Sequence, residues 1–391
     1  MNEEAFQQDK RISIQIVEAE KAGPEVGRAW DDLFARATDA PPHLSRPWVT
    51  AFARGGMLRG NPLLILGWLG ARLVVLFPLA VRKRLSIRIA EPIGTGHPSY
   101  LGLLLDPEYP QAVECMAEAI RTEKIFNLLC IEDLWSRDKA TNALLTRLKQ
   151  KNFSVWRVHR NVCFFIRLSG SYQEHIRKTK SAKSRHTLLR KDRRLREKHA
   201  VEVEYYDGEE ITADVVRRIA SIQEQSWMKR RGAAILGQPF YQKLLLTMAR
   251  SGIAQAWLMT IDNADAAFVF ALVAHGQLHY VWNAFKLEYT SSLSVGEFLT
   301  NWTIRDACNN SILMYDFGHG DAQYKRFWST DEHTVYRVVA GLGAWGSLLA
   351  TAHFILWRLA RIESLRSLRR RMTRMLLGLP AIHYLVTWSV R

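Results

Sequence analysis

The hydrophobic pattern of the chain changes period along its length, and those changes predict its elements. Alternation over Ile12–Val17 predicts a strand, and Pro24–Ala37 a helix opened by a proline whose fixed φ suits the first turn. Arg46–Arg54 reads as a second short helix. The apolar runs Pro62–Trp68 and Leu73–Val81 flank Leu69-Gly70-Ala71-Arg72, a hairpin signal. The turn formers of Pro92–Tyr100 make a loop, which could border a cleft or be ordinary surface. Strand Leu101–Leu105, helix Gln111–Arg121, strand Ile125–Ile131, helix Asp138–Lys151 and strand Phe153–Val158 follow.

The second half repeats this order. Helices are expected over Glu210–Arg230, with Val215, Ile219, Ile222 and Trp227 on one face, and over Pro239–Arg250. Strands Ala256–Ile261, Ala266–Ala274 and Leu278–Phe285 are joined by turns at Asp262-Asn263 and His275-Gly276. A helix then opens at Ser294 as N-cap, with Glu297 as its capping-box partner, and ends at Asn309-Asn310. Strand Ile312–Phe317 leads into the turn Gly318-His319-Gly320, and a last strand lies around Thr334–Val339. Helices, an antiparallel meander and a strand–helix–strand crossover thus occur twice. The pattern predicts two mixed α/β domains, residues 10–165 and 166–338, and 391 residues exceed one ordinary core. Residue identities do not repeat, so any duplication is architectural.

Charge adds partners to this picture. The net charge of +16 is concentrated in two segments. Arg177–Lys198 holds eleven Lys/Arg against two acids, and Arg358–Arg374 holds seven Arg against one Glu. Such local basicity implies local anions: coenzyme phosphates, RNA or a lipid surface. The basic helix over 179–198, with Leu188, Leu189 and Leu195 as its apolar stripe, is either a solvated helix or a positive rim over a donor or acceptor site. In the tail, residues 339–391, Val338–Trp357 has no charged residue and approaches bilayer-spanning length. A single span would set the Arg cluster against the positive-inside preference, so amphipathic helices on an anionic membrane face, or packing on the domains, are expected instead. The charged start MNEEAFQQDKR and four scattered cysteines point to a cytoplasmic protein, peripheral on the inner face of the plasma membrane if the tail binds there.

Motifs for other chemistries are missing. No HExxH or spaced Cys/His set appears, and His275 and His279 flank a hairpin turn rather than share a helix face, so no metal is expected. A Gly-x-Ser-x-Gly elbow is absent, which removes the ordinary serine hydrolase.

One ordered set of residues carries a resemblance. The basic helix with K-S-x-x-R and L-R-K-x-x-R-R-L is followed by Gln225-Ser226-Trp227, the meander, Y-x-x-x-S-x-G and F-G-x-G-D-x-x-Y-K-x-x-W. This set resembles the GNAT-fold acetyltransferases of the CelD/BcsL type, with a BioF2-like domain, linked to cellulose and exopolysaccharide biosynthesis. Those are similar in turn to the tandem-GNAT Fem-type aminoacyltransferases. The match covers roughly residues 10 to 338, its specific part being Ser294, Gly296, Asp316, Gly318, Gly320, Asp321, Tyr324, Lys325 and Trp328.

The resemblance implies a tandem GNAT-like, mixed-sheet α/β fold, with the acyl-donor site in the second domain and the acceptor side in the first. It implies acetyl-CoA as donor and an amine or hydroxyl of a sugar or polysaccharide precursor as acceptor, at a polysaccharide synthase complex. An aminoacyl-tRNA donor, or a non-catalytic scaffold of such a complex, are the alternatives. Ser294, Val295 and Gly296, with Trp282 and Asn283, then fall at the donor site, and Trp227, Arg185, Gly318 and Gly320 at the substrate. Lys325 would stabilise developing negative charge, with Tyr324 and Asp321 as candidates for proton transfer. For each a structural role stands beside the chemical one: a surface lysine, a core tyrosine, a capping aspartate. Asp316 reads as structural and Trp328 as packing.

Overall fold

The structure, a computed structural model, describes residues 11–84, 87–97, 100–289 and 294–360. The chain forms two compact units, one made of the residues up to Ala40, Phe52–Arg160 and those from Thr334, the other of Pro41–Ala51 and Asn161–His333. This division differs from the expected 10–165, 166–338 and 339–391. Strands run through the expected boundaries, and one short helix leaves its sequence neighbours for the other unit.

The first unit contains β1 (Ser13–Glu18), α1 (Pro24–Arg36), β2 (Asn61–Leu69), β3 (Arg72–Arg84), β4 (Ile87–Pro92), β5 (Leu104–Leu105), α3 (Ala112–Thr122), β6 (Leu128–Trp135) and α4 (Lys139–Gln150). The first part of β7 (Phe153–Arg167), most of β13 (Asp331–Leu342) and α12 (Gly343–Ala360) complete it. Its strands run β1-β2-β3-β4-β6-β13, with β5 on β3. β1 to β4 form an antiparallel meander, and α3 then carries the chain over to β6, parallel to β4 at Ile89↔Leu128 and Ala90↔Leu129. One face packs α3 and α4 through Met116, Ile120, Leu144 and Leu148 onto Val75, Phe77 and Leu129.

The second unit contains α2 (Arg46–Arg54) up to Ala51, the end of β7, α5 (Tyr172–Thr179), α6 (Ala182–Lys198), β8 (Val201–Asp207), α7 (Ala213–Glu224), α8 (Trp227–Arg230) and α9 (Pro239–Arg250). β9 (Ala254–Ile261), β10 (Ala264–Ala274), β11 (Gln277–Phe285), α10 (Val295–Asn309), β12 (Met314–His319) and α11 (Gln323–Trp328) follow. Strand order is β7-β12-β11-β10-β9-β8. Again a meander, β8 to β11, precedes a helical crossover to a parallel strand, at Gln277↔Met314, Leu278↔Tyr315 and His279↔Asp316.

Several local expectations need correction. Ser294 has φ 52, in the left-handed region, and its side chain caps nothing; Glu297 pairs instead with Lys191 of α6. The helix expected over Glu210–Arg230 breaks at Gln225-Ser226, where Ser226 caps the separate α8, so Trp227 leaves the face of Val215 and Ile219. Leu188 and Leu195 of the basic helix are buried, but Leu189 is exposed. β8 and α5 were not expected, although Ser171 and Glu174 form a capping box before α5. The last strand, expected to end around Val339, runs on to Leu342, so Ala340–Leu342 of the expected helical tail are strand and the helix starts at Gly343. Among the described residues no helix is long and apolar enough to cross a membrane. The arginines beyond Ala360 and the rest of the tail lie outside the described residues, as does the stretch between Tyr289 and Ser294, residues 290–293.

Candidate active site

The site is built where β11 and β12 stop pairing. Their parallel ladder ends at His279↔Asp316, while β11 continues to Phe285 and β12 to His319. Beyond that point the edge of β11 that faces β12 belongs to no ladder among the described residues. Opposite Phe270 and Ala271 the register of β11 shifts, because one extra residue, Val281, lies between Tyr280 and Trp282. A bulge of this kind re-aims the strand's side chains. His279 and Trp282 therefore share one face, and Tyr280 and Phe285 the other.

On the α10 face lies a tyrosine cluster. The Tyr280 hydroxyl is 3.5 Å from Thr300 Oγ1, and the Tyr315 hydroxyl 2.7 Å from Thr303 Oγ1. Thr300 donates in turn to the Gly296 carbonyl at 2.7 Å. The Tyr324 ring meets Phe317 edge-on, with centroids 6.1 Å apart. Burial pushes the Tyr324 phenol up to about 12, and raises Tyr280 and Tyr315 further in the same direction. All three are protonated near neutral pH, and Tyr324 is the one the chain carries on a short helix rather than in a strand.

The end of β12 is held by backbone and charge. Gly318 and Gly320 have φ of 67° and 101°, conformations that suit glycine, and the Gly318 amide donates to Asp316 Oδ1 at 2.6 Å. Asp316 is fully buried, with its other oxygen 3.5 Å from His333 Nε2. Lys325 is buried; its ammonium donates to the His319 carbonyl at 2.6 Å and lies 3.4 Å from that of Gly318. Burial lowers its pKa, against the opposing pull of Asp316. It is thus a buried staple of the turn rather than a surface lysine. Asp321 is exposed and ion-paired with Arg326, which holds its carboxyl below the usual range and makes it a weak base. It stands apart from the tyrosine cluster in character. Trp328 packs, fully buried.

The start of α10 forms the second wall. Gly296 sits where a Cβ would come within 3.1 Å of the Phe285 ring, so any larger residue there would have to push that ring aside. The first-turn amides of a helix have no intrahelical acceptors and carry the positive end of its dipole. Beside them runs α6. Leu188, Lys191 and Asp192 face Ser294, Glu297, Phe298 and Asn301 across a shallow, open groove. Arg196 lies over Phe298 and Trp302. The basic helix therefore flanks the opening of α10, as a positive rim would.

Trp227 also comes to this end: Ser226 bridges to Lys286, and the Leu287 amide donates to the Gln225 carbonyl at 3.1 Å. Its ring is covered by Arg231. Arg185 is committed to the backbone, donating to the Lys180 carbonyl at 2.7 Å.

On the opposite face of β11 stands a group that sequence reasoning missed. Trp282 stacks on Trp48 at 6.2 Å, and His43 meets Trp48 and His279 edge-on at 4.9 and 5.5 Å. Tyr241 closes on Trp282. The Trp282 side chain thus faces this cluster, and only its backbone faces the β12 side; Asn283 is half-buried on the same strand. The indole N–H of Trp282 has no hydrogen-bond partner among the described residues. Burial holds His279 at about 3 and lowers His43, so both are neutral. The sequence offers two of these residues, His279 as a candidate metal ligand and Trp282 as a donor-site residue, but not as members of one cluster. His43 and Trp48 lie far from them in sequence and gave no signal. Among the described residues, no group of three or more His, Cys, Asp or Glu is placed to hold a metal ion.

This arrangement, a mixed sheet with a parallel pair whose ladder ends early and a helix opening beside it, is that of a GNAT domain. Residues 182–326 match the family described as Acetyltransferase (GNAT) domain. The chain carries that domain and is a GNAT-type acyltransferase. Its structure is similar to that of FemX, at a TM-score of 0.58 and 12% identity, over 80% of this chain and 95% of the other. It is similar also to the C-terminal domain of a putative lysylphosphatidylglycerol synthetase from Agrobacterium fabrum, at 0.54 and 12%, over 85% and 96%. At such identity the likeness is one of fold. No curated protein matches the chain.

Proposed function

We propose that the second unit transfers an acetyl group from acetyl-CoA to an amine or hydroxyl of a sugar or polysaccharide precursor. The observation that carries the donor half of this reading is the early end of the β11–β12 ladder beside the opening of α10, flanked by the basic helix. The amides of α10's first turn and Lys191, with the exposed cations of α6, would hold the donor's phosphates. Gly296 fits this role, because the close approach it permits leaves the first turn clear. Backbone N–H groups at the unladdered edge of β11 would polarise the acyl carbonyl.

In the transfer, a bond forms from the acceptor heteroatom to the acyl carbon and the carbon–sulfur bond breaks. Tyr324, a neutral phenol in the cluster, gives its proton to sulfur and regains one from the acceptor's loss through solvent. Lys325, beside Tyr324 on α11, ties that helix to the Gly318–Gly320 turn and would add positive potential near the sulfur. The acceptor assignment rests on the resemblance of the residue set described above. Titration calorimetry with acetyl-CoA tests the reading: heat of binding at tens of micromolar is expected, and silence there would remove the donor. A second reading, an aminoacyl-tRNA donor, draws on the same exposed cations of α6. TRNA retardation lost on neutralising Lys183, Arg190 and Arg194, with no acetyl-CoA binding, would favour it.

A further inference from the structure

We propose that the outward face of α12, in the first unit, is a docking surface for an anionic lipid bilayer. Nine large hydrophobic residues are exposed among the described residues, and six of them are scattered singly, four on separate elements and two, Met57 and Leu313, between elements. The other three, Trp345, Leu348 and Ile355, are all on α12, and Trp345 is 73% exposed. Their spacing, with Ala352 between the last two, steps by three, four and three residues, which lines them on one stripe of a helix.

The opposite side of the same helix is already satisfied. Ala350 and His353 are buried, Leu349 packs on the cluster of Ile89, Leu128, Cys130 and Val339, and Phe354 stacks on Trp156 at 4.5 Å. The exposed stripe is therefore not a core face waiting for its own unit. Single exposed apolar residues are ordinary, whereas a contiguous stripe with a tryptophan marks an interaction surface.

Charge selects the partner. α12 has no acidic residue, its one Arg, Arg358, is exposed at the end of the helix, and the sequence continues to Arg374 with six more arginines and a single Glu. An apolar stripe with tryptophan, bordered by arginine and devoid of acid, is the composition that lies in a bilayer interface and is drawn to anionic headgroups. A second copy docking through the same helix would set Arg358 near its own counterpart with no acid on either helix to answer it.

The test uses the full chain and extruded vesicles of phosphatidylcholine, with or without about 30 mol% phosphatidylglycerol, in co-sedimentation. Binding to the anionic vesicles alone, weakened by high salt, is expected. The variant Trp345→Ser/Leu348→Ser/Ile355→Ser should lose at least about tenfold in partitioning, with its melting temperature and acetyl-CoA affinity unchanged. No binding of the unaltered chain to anionic vesicles, or unchanged binding of the variant, would overturn the proposal. So would a dimer in sedimentation velocity that the variant converts to monomer, since a second copy would then be the occupant. Because acetyl-CoA binding is read separately, failure here and failure of the acyl-donor reading are distinguishable.

Discussion

The two units solve the same topological problem with different chemistry at the same place. In each, a meander ends in a strand, a helix crosses over, and a parallel strand returns. At the start of the crossover helix the first unit has Ala112-Val113-Glu114 and the second Val295-Gly296-Glu297. Val113 is buried, so α3 meets its sheet through a full side chain, whereas α10 meets Phe285 through a bare glycine. Glu114 is answered by Arg147 of α4 and by Lys151 just after it, while Glu297 is answered by the basic helix α6. Beyond the parallel pair, the first unit is stapled by charge: Arg82 to Glu91 at 3.0 Å, Arg160 to Glu132 and Asp133 at 3.1 Å each, and Arg337 to Glu132 at 3.6 Å. There the second unit has neutral phenols and a glycine turn. The lesson is that one copy of the architecture is closed and the other kept open. The open one coincides with the region matching the acetyltransferase family.

The largest expected effect comes from breaking the closed copy. Burial pushes the Asp133 carboxyl up to about 7 even with Arg160 beside it. Arg160→Met leaves two mostly buried carboxylates without their nearest guanidinium, and should cost about 3 kcal/mol of stability. Thermal or denaturant unfolding reads this loss. Acetyl-CoA affinity, measured well below the transition, should not change; a parallel loss of affinity would show that the donor site is not confined to the second unit.

Tyr324→Phe is the next largest. Removing a proton donor to the leaving group should lower kcat roughly 100-fold, with KM and melting temperature nearly unchanged, because the ring's contact with Phe317 remains. The pH dependence has a defined sign. The phenol is pushed up to about 12, so its protonated form persists throughout the working range and is lost only as pH rises toward that value. The unaltered enzyme should show no fall in rate from Tyr324 between neutral pH and about 10. An alkaline fall centred below 9 that Tyr324→Phe abolishes would contradict the burial on which the assignment rests.

How much of this was legible in the sequence follows the range of the interactions involved. The order of elements in both copies, Arg46–Arg54 and Pro239–Arg250 to the residue, and the turns at Asp262-Asn263 and His275-Gly276 could be read because period and turn chemistry are local. Ser294 was misread because a left-handed backbone turns its side chain away from the helix amides, which no S-x-x-E spacing reveals. Leu189 was misread because a stripe of leucines does not say which of two adjacent ones faces the core. β8 was missed although VEVEYYD alternates, because its outward positions are charged and its inward ones only half-buried. Of the site, Gly318, Gly320, Tyr324 and Lys325 were legible as an ordered set, but the staple made by Lys325 and the ion pair that draws Asp321 to Arg326 were not. The cluster of His43, Trp48, His279 and Trp282 joins residues more than 200 positions apart, and only the fold brings them together.

A smaller effect tests the comparison at its narrowest point, the second residue of the crossover helices. Gly296→Val gives α10 the side chain that α3 already has, and its Cβ would press on Phe285. If the glycine keeps the first turn clear for phosphates, acetyl-CoA affinity should fall about tenfold, about 1.4 kcal/mol, while stability changes little, since the Phe285 ring is half-buried and can give way. The reciprocal Val113→Gly should do the opposite. It removes a buried side chain from a helix, which lowers stability by roughly 2 kcal/mol, and leaves donor affinity as it was. Asp321→Asn serves as the baseline for both, because its carboxylate is exposed and answers only Arg326. It should alter turnover less than about twofold, as the loss of one surface ion pair does. A large loss of turnover in Asp321→Asn, with affinity retained, would restore the carboxylate as the acceptor's base and move the chemistry from the tyrosine cluster to the rim of the turn.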